Sequence, residues 1–87
     1  MIWEYSNRFQ KDLKQYKKDK NKSDLDRIKV LLEDTEVNGL LCCLGKPELL
    51  RNNFKGCYSR RINKKDRLVY QQKKQGTIQL ISCKYHY

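Results

Sequence analysis

The sequence predicts an α+β fold in which a two-helix hairpin lies on one face of a small, mainly antiparallel sheet. Two apolar stripes of helical period occupy the first 40 residues, separated by a short polar link, and three runs rich in Tyr, Ile, Val, Leu and Thr fill residues 58–85. The links between those runs are only three or four residues long. Such links join antiparallel neighbours, so the expected element order is β-α-α-β-β-β.

Each element has a local reason. Residues 2–5 alternate Ile2 and Glu4 against Trp3 and Tyr5, which reads as a short strand. Ser6 is placed to cap a first helix whose stripe is Phe9, Leu13 and Tyr16, with Lys11, Lys14, Lys17 and Lys18 on its wet side. After the link Asp19 to Lys22, Ser23 with Asp26 resembles a capping box opening a second helix, whose stripe is Leu25, Ile28, Leu31 and Leu32. Asn38-Gly39 ends it, since glycine enters the left-handed conformation without steric penalty. A link this short makes the two helices antiparallel.

The apolar run Leu40 to Leu44 is broken by Gly45-Lys46-Pro47, and Pro47 is expected to open a short helical turn. Strands follow at Tyr58 to Asn63, Arg67 to Gln72 and Thr77 to Tyr85. With residues 73–76 as a hairpin loop of constant register, Arg67 falls opposite Ser82 and shares a face with His86.

At 87 residues the chain is expected to form one domain, 1–87, near the lower limit for an independent core. No stretch reaches the roughly 20 apolar residues of a membrane span, and Glu4 interrupts the start of the chain where a signal peptide would be apolar. A cytoplasmic protein without membrane contact is expected. The cysteines, Cys42, Cys43, Cys57 and Cys83, lack zinc-ligand spacing, so thiols at least partly buried are expected, with neither metal nor other cofactor.

Charge points to the partner. Residues 45–87 carry 11 basic and 2 acidic side chains, against 9 and 8 in residues 1–44, so the second half holds +9 of the net +10. Clustered Lys and Arg gain affinity for polyanions by releasing counterions from phosphates, which makes nucleic acid the first candidate. Lys64, Lys65, Lys73 and Lys74 sit in expected turns and suit general solubility or RNA contact.

Cleavage of an RNA phosphodiester needs a base for the 2′-hydroxyl proton, cations for the phosphoryl oxygens and an acid for the departing 5′-oxygen. Glu48, Arg67 with Arg61, and His86, the one histidine, can fill those roles without metal. A plainer reading gives Glu48 to a helix N-terminus through the macrodipole and His86 to an incidental surface position. Arg60 and Arg61 are neighbours on a strand and point to opposite faces, so only one of them is available to a substrate.

The blocks Gly45-Lys46-Pro47-Glu48, Ser59-Arg60-Arg61-Ile62, Arg67-Leu68-Val69-Tyr70 and Tyr85-His86-Tyr87, with Gly56, closely resemble the YoeB branch of the RelE/ParE superfamily of bacterial toxins. The resemblance implies a ribosome-dependent mRNA endonuclease acting in the A site and held inactive by an antitoxin. It assigns the general base to Glu48, the transition-state cation to Arg67, the general acid to His86 and a functional tyrosine to Tyr87. RNA or phosphate contacts would come from Lys46, Arg51 and, as the choice between the adjacent arginines, Arg61. The expected partners are an acidic cognate antitoxin, the ribosome and mRNA, with a homodimer also open.

Three positions depart from the family pattern: Asp66 where His is common, Tyr58 where Trp is common, and Cys43 where glycine is expected. Asp66 sets a carboxylate beside Arg67, where it would weaken phosphate binding, and Cys43 leaves the path of the 40–45 loop open. Two other functions fit the same chain: a non-enzymatic topoisomerase inhibitor of the ParE type, and a basic nucleic-acid-binding protein without nuclease activity.

Overall fold

A computed structural model describes residues 1–51 and 54–85. Strand β1 (Ile2–Tyr5) leads into helices α1 (Asn7–Lys18) and α2 (Lys22–Asn38), followed by β2 (Glu48–Leu49), β3 (Tyr58–Arg61), β4 (Arg67–Lys74) and β5 (Thr77–Tyr85). The five strands form one sheet in the order β1-β5-β4-β3-β2. Pairing is antiparallel except between β1 and β5, which run parallel from Ile2 opposite Thr77 to Tyr5 opposite Leu80. The α+β architecture is the predicted one, with one strand added.

That added strand corrects the expected helical turn after Pro47. Glu48 and Leu49 instead extend the sheet, pairing with Ser59 and Tyr58, which also removes the helix-terminus reading of Glu48. The second helix begins two residues earlier than expected. Asn21, not Ser23, is its cap: the Asn21 side chain accepts the Asp24 N–H at 3.2 Å and donates to the Asp24 carboxylate at 2.8 Å. An amide side chain does both through separate atoms, accepting at its oxygen and donating from its nitrogen. Ser6 does cap α1, accepting the Phe9 N–H at 3.0 Å while its hydroxyl donates to the Ile81 carbonyl at 2.7 Å.

The two helical stripes meet the sheet over Ile62, Leu68, Tyr70, Ile78, Leu80 and Cys83, where Phe9, Tyr16, Ile28 and Leu31 complete a core. A smaller apolar patch lies on the helix-free face, formed by Leu50, Cys57 and Val69 with Phe54, Ile81 and Tyr85. Leu50, Phe54 and Cys57 thus cover part of that face. Burial raises the Cys83 thiol to about 12, with the Asp12 carboxylate adding to it, so this sulfur is an inert core group.

The register between β4 and β5 is not constant. Arg67 pairs with Tyr85, not Ser82, because β4 runs on to Lys74, the turn contracts to Gln75-Gly76, and the ladder shifts three times on the way to Tyr85. A bulge leaves backbone donors unpaired and bends the strand. Asp12 of α1 takes those donors: its carboxylate accepts from Cys83 N at 3.1 Å, Lys84 N at 3.2 Å and the Ser82 hydroxyl at 2.9 Å.

Loop 39–47 is built around positive backbone angles. Gly45 has φ +79°, and a Cβ there would come within 2.8 Å of Leu31 and 3.1 Å of Arg60, so no larger residue fits. Cys43, at φ +82°, also occupies the left-handed region, which explains why a glycine suits that position. Cys42 and Cys43 are exposed while Cys57 and Cys83 are buried, so the expectation of buried thiols fails for the adjacent pair. A loop tip with both ends held by neighbours has nothing left to bury it.

Candidate active site on the helix-free face of the sheet

Strand pairing brings the sequence-distant candidates together. Glu48 lies opposite Ser59, Arg61 opposite Arg67, and Arg67 in turn opposite Tyr85. Directly opposed residues share a face, and Ser59 and Arg61 are two apart on one strand, so Glu48, Arg61, Arg67 and Tyr85 all belong to the face away from the helices. Arg67 donates to the Glu48 carboxylate at 2.9 Å; its side chain is 16% exposed and that of Glu48 50%. An exposed pair of this kind adds at most about 1 kcal/mol of stability. Its interest is chemical, since a carboxylate and a guanidinium converge across 19 residues of sequence.

Tyr85 closes one side of this group. Its ring meets Phe54 edge-on at 4.7 Å and packs on the patch of Leu50, Cys57 and Val69. His86 and Tyr87, the candidate acid and functional tyrosine, lie outside the described residues. Arg51 is exposed at the start of the crossing segment. Beneath Glu48, the hydroxyl of fully buried Ser59 has no hydrogen-bond partner.

A basic cleft of about 480 Å³ adjoins the group, lined by Arg27, Lys46, Arg61 and Lys64 together with Gly45, Ile62 and Asn63. Lys46 has φ +48°, and the Arg61 N–H donates to the Gly45 carbonyl at 2.6 Å, which ties the loop bearing Lys46 and Glu48 to β3. Arg61 therefore links the cleft to the Glu48 and Arg67 pair. Arg27 is a cleft residue that sequence reading missed; only its position on the flank of the α2 stripe, toward Lys46, could have suggested it.

Arg60 and Asp66 are turned the other way. The Arg60 guanidinium is fully buried and donates to the Asp34 carboxylate, the Leu44 carbonyl at 3.0 Å, the Gly39 carbonyl at 2.7 Å and the Tyr70 hydroxyl at 2.9 Å. It is a structural hub holding loop 39–45 against the sheet. Asp66, expected to compete for Arg67, instead accepts from the Tyr16 hydroxyl at 2.7 Å and lies 3.6 Å from the Lys84 ammonium. Adjacent strand residues alternate in direction, so its carboxylate and the Arg67 guanidinium part company. Burial pushes Asp66 upward, but the Tyr16 and Asn63 hydrogen bonds and the Lys84 and Lys65 charges outweigh it and hold the carboxyl below its ordinary value. Lys73, also expected in a turn, lies within β4 and pairs with Glu4 at 3.1 Å.

Among the described residues no group of three or more His, Cys, Asp or Glu side chains converges as a metal site requires, and no helix is long and apolar enough to cross a membrane.

The comparisons agree with this fold and point to one family. The family described as YoeB-like toxin of bacterial type II toxin–antitoxin system matches residues 5–87. Toxin YoeB of Escherichia coli K12 is 35% identical over 72 residues, 83% of each chain. Toxin YoeB of Synechocystis is 48% identical over 44 residues, a stretch in which this chain spans about half the length of that relative. Among solved structures, a YoeB dimer from Staphylococcus aureus superposes with a TM-score of 0.90 at 39% identity, covering 100% of this chain and 98% of that one. The YoeB chain of a YoeB–YefM complex from the same organism gives 0.87 at 40% identity over the same shares.

Proposed function

The chain belongs to the YoeB-like toxins of bacterial type II toxin–antitoxin systems, and from that premise we propose that it is a ribosome-dependent endoribonuclease that cuts mRNA in the A site and so stops translation. The observation that carries this reading is the contact between Glu48 and Arg67 on the exposed face of the sheet, beside a cleft lined by four cations. A base, a phosphate-binding cation and an open approach for a strand of RNA are what the reaction requires besides its acid.

In the proposed reaction Glu48 takes the proton of a ribose 2′-hydroxyl. The 2′-oxygen bonds to the adjacent phosphorus as the bond from phosphorus to the 5′-oxygen breaks, and His86 gives that leaving oxygen its proton. Arg67, with Arg61 beside it, steadies the charge on the non-bridging oxygens. A guanidinium presents five N–H donors in a fixed fork, so an arriving phosphate can engage Arg67 and draw it away from Glu48, releasing the base as substrate binds. Tyr87 is given a functional part by the family resemblance, and Lys46 and Arg51 are assigned to the flanking phosphates. No step calls for a metal or other cofactor.

The small, open sheet around Glu48 gives a flexible message little to orient it, so positioning falls to the ribosome. The partners are accordingly the ribosome and mRNA and, by analogy with the YoeB–YefM complex, an acidic antitoxin; self-association like that of the S. aureus dimer is part of the same proposal. Primer extension on message in a purified translation system tests the function directly. Cleavage should appear with programmed ribosomes and be nearly absent on free RNA. Equal rates on both, or intact message throughout, overturn the reading.

A further inference from the structure

The tip of loop 39–45 is held on both sides and free in the middle. Arg60 donates to the carbonyls of Gly39 and Leu44, the Tyr70 hydroxyl donates to the Leu40 carbonyl at 2.6 Å, and the Leu44 N–H donates to Asp34 at 3.1 Å. Residues 41–43 project between these anchors, with Cys42 and Cys43 both exposed. In extended backbone, adjacent side chains point to opposite sides. Here the backbone at Cys43 is left-handed, φ +82°, and the two neighbouring side chains lie close enough to act on each other electrostatically.

We propose that Cys42 and Cys43 form a vicinal dithiol site that hydroperoxides oxidise reversibly to an intramolecular disulfide. One thiolate attacks the peroxide oxygen, breaking the O–O bond and leaving a sulfenic acid as the alkoxide departs and takes up a proton as alcohol. The second thiol then attacks the sulfenic sulfur and water leaves. The balance is two thiols and one hydroperoxide giving one disulfide, one alcohol and one water, a two-electron exchange with no further reagent.

Geometry makes this disulfide labile. The Cα atoms of neighbours across a trans peptide stand about 3.8 Å apart, closer than the usual lower bound of about 4.4 Å for a disulfide. Closing the ring therefore strains the 42–43 peptide, and strained, exposed disulfides have the more oxidising potentials and yield readily to small thiols. The Cys43 thiol is held above its ordinary value, first by the adjacent Cys42 thiol and then by partial desolvation and the nearby Asp34 carboxylate. Buried Cys57 and Cys83 serve as internal controls.

Trypsin isolates the site. Pro47 protects the Lys46 bond, so cleavage after Lys29 and Arg51 releases residues 30–51, a peptide with Cys42 and Cys43 and no other cysteine. The native protein, treated with one equivalent of hydrogen peroxide and then alkylated with iodoacetamide, should yield this peptide lighter by two hydrogens and carrying no alkyl group. Dithiothreitol before alkylation should restore both labels, and Cys42→Ser or Cys43→Ser should stop at a sulfenic acid that dimedone traps. Two alkyl groups on the peroxide-treated peptide, direct passage to sulfinic acid, or disulfides only between molecules would each overturn the proposal.

Discussion

Arg60 of β3 and Asp34 of α2 are ion-paired in the interior, 26 residues apart in sequence, and the same guanidinium holds the carbonyls of Gly39 and Leu44. One buried cation thus fastens helix, loop and sheet together. Removing it strands a carboxylate and two carbonyls at once, a change far costlier than losing a surface pair. Arg60→Leu should lower the melting temperature by on the order of 10–20 °C. Adding Asp34→Leu should recover part of that loss, as followed by circular dichroism.

Glu48→Gln and Arg67→Ala should leave the melting temperature within a few degrees of wild type, because their pair is exposed. Each should reduce cleavage on programmed ribosomes by about 10²–10⁴-fold. A loss under tenfold for Glu48→Gln would move that residue from base to positioning. Cells making either variant without a partner should grow where wild type arrests them.

Much of this arrangement is legible in the sequence, for reasons that differ by element. The stripes of α1 and α2 follow from period, the last three strands from their apolar, β-branched and aromatic content between short links, and the opposite facing of Arg60 and Arg61 from strand geometry. The meeting of Glu48 with Arg67 does not, because it depends on β2, a two-residue strand too short to leave a pattern. The register around Arg67 was hidden as well, since bulges carry no period of their own and are closed by Asp12, a helix residue 70 positions from Ser82. What fixed the candidates beforehand was family resemblance.

Acid should unfold the protein cooperatively. Asp34, whose carboxyl is lowered first by the Asn38 hydrogen bond and then by the Leu44 N–H and Arg60, and Asp66, lowered despite burial, both have native values below those of the unfolded chain. Their contribution is therefore complete above the unfolded value of about 4 and is lost as pH falls through the lower native values. Melting temperature measured from pH 7 to pH 2 should drop in that acid window, and Asp66→Asn should flatten the drop.

Cys43→Gly should stabilise the fold by about 1 kcal/mol, since a left-handed backbone costs an L-residue roughly that much more than glycine. Gly45→Ala should do the reverse, since its Cβ would come within 2.8 Å of Leu31 and 3.1 Å of Arg60. Paired urea titrations decide both.

Association with an acidic antitoxin should slow as salt rises, because most of the net charge of +10 lies in residues 45–87 and attraction is screened over about 8–10 Å at ordinary ionic strength. Stopped-flow rates at several salt concentrations measure it. A salt-independent rate would remove charge steering as the cause.

The parallel pairing of β1 with β5 has a consequence for synthesis. Residues 2–5 find their sheet partner only in residues 77–80, and the Asp12 carboxylate finds its donors only at residues 82–84. Contacts this remote in sequence form late in folding, after the chain-closure entropy has been met. A nascent chain that has not yet emerged through residue 85 has neither the β4 neighbour that carries Tyr85 nor a closed sheet behind Arg67. On the proposed function, a nascent chain at that stage would not yet be able to cut message, and the candidate site would be completed only once residues 77–85 have joined the sheet.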